Sequence, residues 1–107
     1  MKEKHDKVTP RVSIPREKIA EFCRRYHIRK LSLFGSVLRP EFREDSDIDV
    51  LIEVQPGYRL GLLRLAALEA ELSEILGRKV DIRTAADLSR YFRQEVLASA
   101  EVQYAEG

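Results

Sequence analysis

The feature that most constrains this chain is a strand–helix–strand unit written into residues 48–83. Residues 48–54 are rich in β-branched side chains and end in Gln55-Pro56-Gly57, a turn signal. Residues 60–76 then place Leu65, Leu68, Leu72, Ile75 and Leu76 along one stripe, which predicts a long helix, and Gly77 stops it. Residues 79–83 read as a strand again. A helix of this length between two strands is a crossover, which makes the two strands parallel neighbours.

The flanking segments complete a small α/β domain. Residues 15–27 predict a helix with Pro15 at its first position, Glu17 near its positive end, and Ile19, Phe22, Cys23 and Tyr26 on one apolar face. Residues 31–34 alternate and then meet Gly35, so they read as a short strand entering a turn. Residues 87–100 predict a last helix with Leu88, Phe92 and Val96 on one side and Asp87 as its N-cap. Residues 102–104 read as a short edge strand. The order helix, strand, strand, helix, strand, helix gives an α/β fold with a small sheet flanked by helices.

Composition bounds the function classes. A chain of 107 residues supports one hydrophobic core. With 44% hydrophobic and 35% charged residues it reads as globular rather than disordered. Residues 1–13 are mostly charged and aperiodic, and read as a mobile lead-in to a single domain over residues 14–107. They have no apolar segment of a secretory signal, and no run is long enough to span a bilayer, so the expected address is cytoplasmic. The lone Cys23 excludes an internal disulfide and a cysteine-based zinc site, and its apolar face makes it a packing residue. Residues 1–30 hold ten Lys/Arg against four Asp/Glu. That asymmetry fits either solvated faces or a basic arm for an acidic partner.

One stretch carries chemistry. Asp47 and Asp49 lie two apart at the start of a strand, so both side chains point to one face. Adjacent carboxylates repel unless a cation lies between them, and their oxygens suit Mg²⁺ shared with substrate phosphates. Asp81 sits between Val80 and Ile82 in the next strand. Taken alone it can be a helix cap or the ion-pair partner of Lys79 or Arg83. Beside Asp47 and Asp49 it completes a set able to hold one or two metals, or to take an acceptor proton. Gly35 lets a phosphate approach the backbone, and the Ser36 hydroxyl, the N–H groups of the turn and Arg39 offer it hydrogen bonds and charge. A nucleoside triphosphate with Mg²⁺ fits both halves of this arrangement. His5, His27, Tyr91, Tyr104, Arg24 and Arg25 read as ordinary surface or packing residues.

Together, Gly35-Ser36, Asp47-x-Asp49 and Asp81 resemble the signature of the nucleotidyltransferase superfamily related to DNA polymerase β. The longer pattern LFGSVLR, DSDIDVLIEV and GRKVDI is similar to the minimal nucleotidyltransferase (MNT) proteins of bacteria and archaea, over residues 14–107. The resemblance implies a mixed, mostly four-stranded sheet flanked by helices. It implies Mg²⁺ on Asp47 and Asp49, with Asp81 as the third acidic position. It implies that Gly35 and Ser36 hold the triphosphate of ATP, with Arg39 as the basic position after them. Many such proteins are antitoxins that transfer AMP from ATP to a tyrosine of a HEPN-domain ribonuclease toxin. Pro40 departs from the pattern, where glycine is usual, and stiffens the loop that follows.

Three functions compete on this reading. The first is a protein adenylyltransferase antitoxin, which the motif set favours. The second is an antitoxin that blocks its toxin by stoichiometric contact. The third is a nucleic-acid binder using the basic residues, which the interleaved Glu17 and Glu21 disfavour.

Overall fold

The structure is a computed structural model that describes residues 7–8, 13–38 and 46–106, with only the backbone of residues 7, 8, 13, 36, 91 and 92. Strands β1 (Lys7–Val8) and β2 (Ser13–Ile14) form a small antiparallel ladder. Helix α1 (Arg16–Arg25) leads into β3 (Ile28–Phe34) and a 3-10 turn (Gly35–Leu38). Strand β4 (Ile48–Val54), helix α2 (Leu62–Leu76) and strand β5 (Val80–Thr84) follow. A second 3-10 turn (Ala85–Asp87), helix α3 (Arg90–Ser99) and strand β6 (Glu101–Ala105) close the described chain.

The main sheet has the order β5-β4-β3-β6. The pair β4–β5 is parallel, as the crossover requires, and β3 pairs antiparallel with both β4 and β6. Period-2 alternation gives the sheet two different faces. On one, Leu31, Leu33, Val50, Ile52, Val80 and Ile82 are buried against Ile19, Phe22 and Cys23 of α1 and Leu68 and Leu72 of α2. Each such side chain contributes about 1.5–3 kcal/mol by leaving water. On the other, Phe34 and Leu51 pack with Leu88, Val96 and Ala100 in a smaller cluster. Asp49 alternates onto this second face, which α3 covers.

Local chemistry sets the element ends. Gly77 adopts φ 72°, and its N–H donates to the Ser73 carbonyl at 2.8 Å, closing α2 where the sequence places the stop. Helix α2 begins at Leu62, later than residue 60, and Leu62 and Leu63 stand 86% and 90% exposed. Tyr26 donates to Glu71 at 2.6 Å and Arg25 pairs with the same carboxylate, tying α1 to α2. Among the described residues no helix is long and apolar enough to cross a membrane.

Expectations about other element limits are corrected too, starting with α1, which runs over Arg16–Arg25 with Pro15 as its N-cap rather than its first residue. Asp87 does not cap the last helix; its carboxylate turns back to accept the Thr84 N–H at 3.1 Å and hydroxyl at 3.0 Å, so α3 starts only at Arg90. Strand β3 begins at Ile28 rather than Leu31, because Arg29 and Lys30 hide the alternation. Strand β6 is longer than residues 102–104. Lys7–Val8, inside the segment read as a lead-in, pairs with Ser13–Ile14 at the boundary of that segment and the domain.

Candidate active site

The site is built where β3, β4 and β5 meet. Antiparallel register sets Phe34 opposite Asp49, and parallel register sets Asp81 opposite Asp49. The chain leaves β3 through Gly35 at φ 78°, a left-handed conformation that favours glycine. Space makes the same demand. A Cβ added to Gly35 would lie 2.5 Å from the Asp49 Oδ2. The glycine of the first motif therefore sits against the carboxylate of the second, an intimacy that linear spacing does not reveal.

The three aspartates differ in surroundings. Asp47, about half exposed, has Lys79 Nζ at 4.0 Å. Asp49 is half-buried. Burial first, and then the charge of Asp81, push its carboxyl above the ordinary value; Arg83 opposes this and Asp47 adds to it. Asp81 accepts from Arg83 Nη2 at 2.9 Å, the ion pair that its sequence context allowed. Beside Asp49 opens a cleft of about 360 Å³ lined by Phe34, Asp49, Arg83, Asp87, Leu88 and Ser89. Its lining combines apolar and charged side chains, the character of a small-molecule site.

The carboxylates suit a divalent cation. Among the described residues no three His, Cys, Asp or Glu side chains are gathered into a ready cage. Mg²⁺ does not need one, since it binds through one or two carboxylates and takes further oxygens from water and phosphate. The adjacent Asp49 and Asp81, with the repulsion that raises Asp49, meet that requirement. Arg39 and Pro40 lie outside the described residues, as does the Ser36 side chain.

Sequence reasoning placed Asp47, Asp49, Asp81 and Gly35 at one place; the fold sets Gly35 and Asp81 directly against Asp49, while Asp47 acts on Asp49 through its charge. Sequence reasoning missed the cleft-lining Phe34, Asp87, Leu88 and Ser89, and weighed Arg83 only as a partner of Asp81. The signal for Arg83 was parity: two residues beyond Asp81 on one strand, it shares that face.

Known proteins decide the family. The nucleotidyltransferase domain family matches residues 16–102. The chain belongs to that family. A Methanocaldococcus jannaschii chain provisionally named a protein adenylyltransferase is 35% identical over 85 residues, covering 79% of this chain and 89% of that one. The protein adenylyltransferase MntA of Thermococcus cleftensis is 34% identical over 77 residues, covering 72% and 76%. A solved structure described provisionally as a minimal nucleotidyltransferase is 39% identical with a TM-score of 0.65, covering 79% and 85%. Two toxin–antitoxin complexes share the fold of this nucleotidyltransferase. One, with AMP-PNP, has a TM-score of 0.69 at 21% identity, covering 86% and 74%. The other, a tri-AMPylated Shewanella oneidensis HEPN toxin with its MNT antitoxin, has a TM-score of 0.61 at 22% identity, covering 84% and 69%.

Proposed function

We propose that this nucleotidyltransferase is an antitoxin that transfers AMP from MgATP to a tyrosine hydroxyl of a HEPN-domain toxin and so silences it. The observation that carries the reading is the packing of Gly35 against Asp49, opposite Asp81 and beside an open cleft. The names of the M. jannaschii and T. cleftensis relatives support the activity, and the AMPylated HEPN complex supports the partner.

In this reading Asp47 and Asp49, with Asp81, would hold one or two Mg²⁺ ions, which when bound would neutralise the triphosphate and stabilise the attacking and leaving oxygens. Gly35 and Ser36 bring backbone and hydroxyl donors to the triphosphate, and Arg39 adds charge. Phe34 and Leu88 give the cleft beside the aspartates an apolar lining. The acceptor oxygen forms a bond to the α-phosphorus while the bond to the pyrophosphate oxygen breaks. The acceptor proton passes to a carboxylate, and Asp81 is the one left for that role if it does not hold metal. The cytoplasm, where ATP is abundant, is the compartment this reading assigns to the reaction.

Growth rescue separates this from blocking by contact. Asp47→Asn is expected to lose neutralisation of the co-expressed toxin while still co-purifying with it. Neutralisation at the wild-type level by Asp47→Asn would overturn the enzymatic reading in favour of stoichiometric binding.

A further inference from the structure

Arg83 is the unexplained charge in the site. It stands on β5 two residues beyond Asp81, on the same face, and its guanidinium reaches back to the Asp81 Oδ2 at 2.9 Å. Its charge also acts on Asp49 and Asp87. It is the single cation among the described residues that line the cleft beside Asp49. Lys79, by contrast, is 78% exposed and reaches Asp47 at 4.0 Å. An arginine among three carboxylates, fixed on one of them, occupies an oxygen that a divalent ion would use.

We propose that Arg83 is an internal counter-ion for the aspartate cluster: it holds Asp81 while no divalent cation is bound, and it competes with that cation for the Asp81 carboxylate. The proposal rests on the nucleotidyl-transfer reading, which requires the aspartates to bind a divalent ion. Without Arg83, Asp49 and Asp81 would face each other across the strand pair with no cation from the described residues lining the cleft to offset them. With it, the cluster is partly neutralised before any ligand arrives, which lowers the affinity of the cation alone. A cation arriving with a nucleotide differs, because the phosphates are a second anion for the released guanidinium. Its planar fork of donors matches phosphate oxygens well. Arg83 thereby favours joint binding of cation and nucleotide over binding of the cation alone.

The alternative is a surface ion pair of no consequence, as many exposed pairs are. Mn²⁺ binding in the absence of nucleotide separates the two, read from the electron-paramagnetic signal of the free ion with the full chain. Arg83→Gln is expected to bind Mn²⁺ about two- to tenfold more tightly than wild type, since a competing charge is removed. In the Asp81→Asn background the same change is expected to have a smaller effect, because the contested carboxylate is gone. Affinity in Arg83→Gln equal to or weaker than wild type would overturn the proposal and leave the nucleotidyl-transfer reading intact. Failure of wild type to retain Mn²⁺ with ATP in equilibrium dialysis, where MnATP itself crosses the membrane, would overturn both. Arg83 is half exposed and outside the core, so the variant keeps its fold, which its unfolding curve checks.

Discussion

Gly35 and Asp49 form the tightest constraint at the scale of the residue. Gly35→Ala introduces a Cβ at 2.5 Å from the Asp49 Oδ2 and also forces a left-handed φ of 78° on alanine. The conformational cost alone is about 1–2 kcal/mol. Urea unfolding is expected to show at least that loss, and transfer is expected to fall with it as Asp49 is pushed aside. A variant with wild-type stability and activity would show that the turn and the carboxylate are independent. Asp49 itself gives a second expectation. Its carboxyl is raised by burial and by Asp81, so it holds its proton more tightly in the folded chain than in the unfolded one. Its contribution to stability is full below the unfolded-state value of about 4 and is lost as pH rises through the folded-state value. Asp49→Asn is therefore expected to raise Tm at pH 7, with the advantage shrinking towards pH 4. The same variant is expected to lose transfer by about a hundredfold or more, since disturbing even a ligand's supporting partner reaches that loss. A stabilised but inactive variant is the signature of a residue kept for chemistry rather than for folding.

At the scale of the element, the β4–α2–β5 unit positions the site. Leu72, fully buried on α2, anchors that helix over β4 and β5. Leu72→Ala is expected to cost about 2–5 kcal/mol by calorimetry or denaturant unfolding, because a cavity opens in the core. A loss below 1 kcal/mol would show that α2 contributes little to holding the strands. This unit was also the most legible part of the sequence. Its strands are β-branched, its helix has a clean apolar stripe, and Gly77 ends it in the left-handed conformation that glycine favours. Elements whose limits depend on distant partners were less legible. His27 takes φ 61°, its carbonyl accepts from the Gln55 N–H at 2.8 Å, and its ring stacks on Tyr58 with centroids 3.7 Å apart. That arrangement joins residues far apart in sequence, and no local pattern announces it. Asp87 had the chemistry of a helix cap but spent it on Thr84 one turn earlier. Site residues on strands were readable because alternation fixes their face. The cleft was not, because Phe34, Leu88 and Ser89 meet only through the packing of α3 on the sheet's second face.

At the scale of the whole molecule, the two faces of the sheet divide the work. One carries the main core under α1 and α2, and the other carries the acidic cluster and its cleft. Among the described residues that line the cleft, Asp49 and Asp87 stand against Arg83. An acidic lining attracts cations and repels bare phosphate, which suits a nucleotide that arrives with its metal rather than a nucleic-acid backbone. The most direct test of the account is the intact mass of the HEPN-domain partner co-expressed with this chain. The account expects the partner to gain one or more AMP groups with the wild-type chain and none with Asp49→Asn. A partner that co-purifies with the wild-type chain and carries no added mass would contradict it.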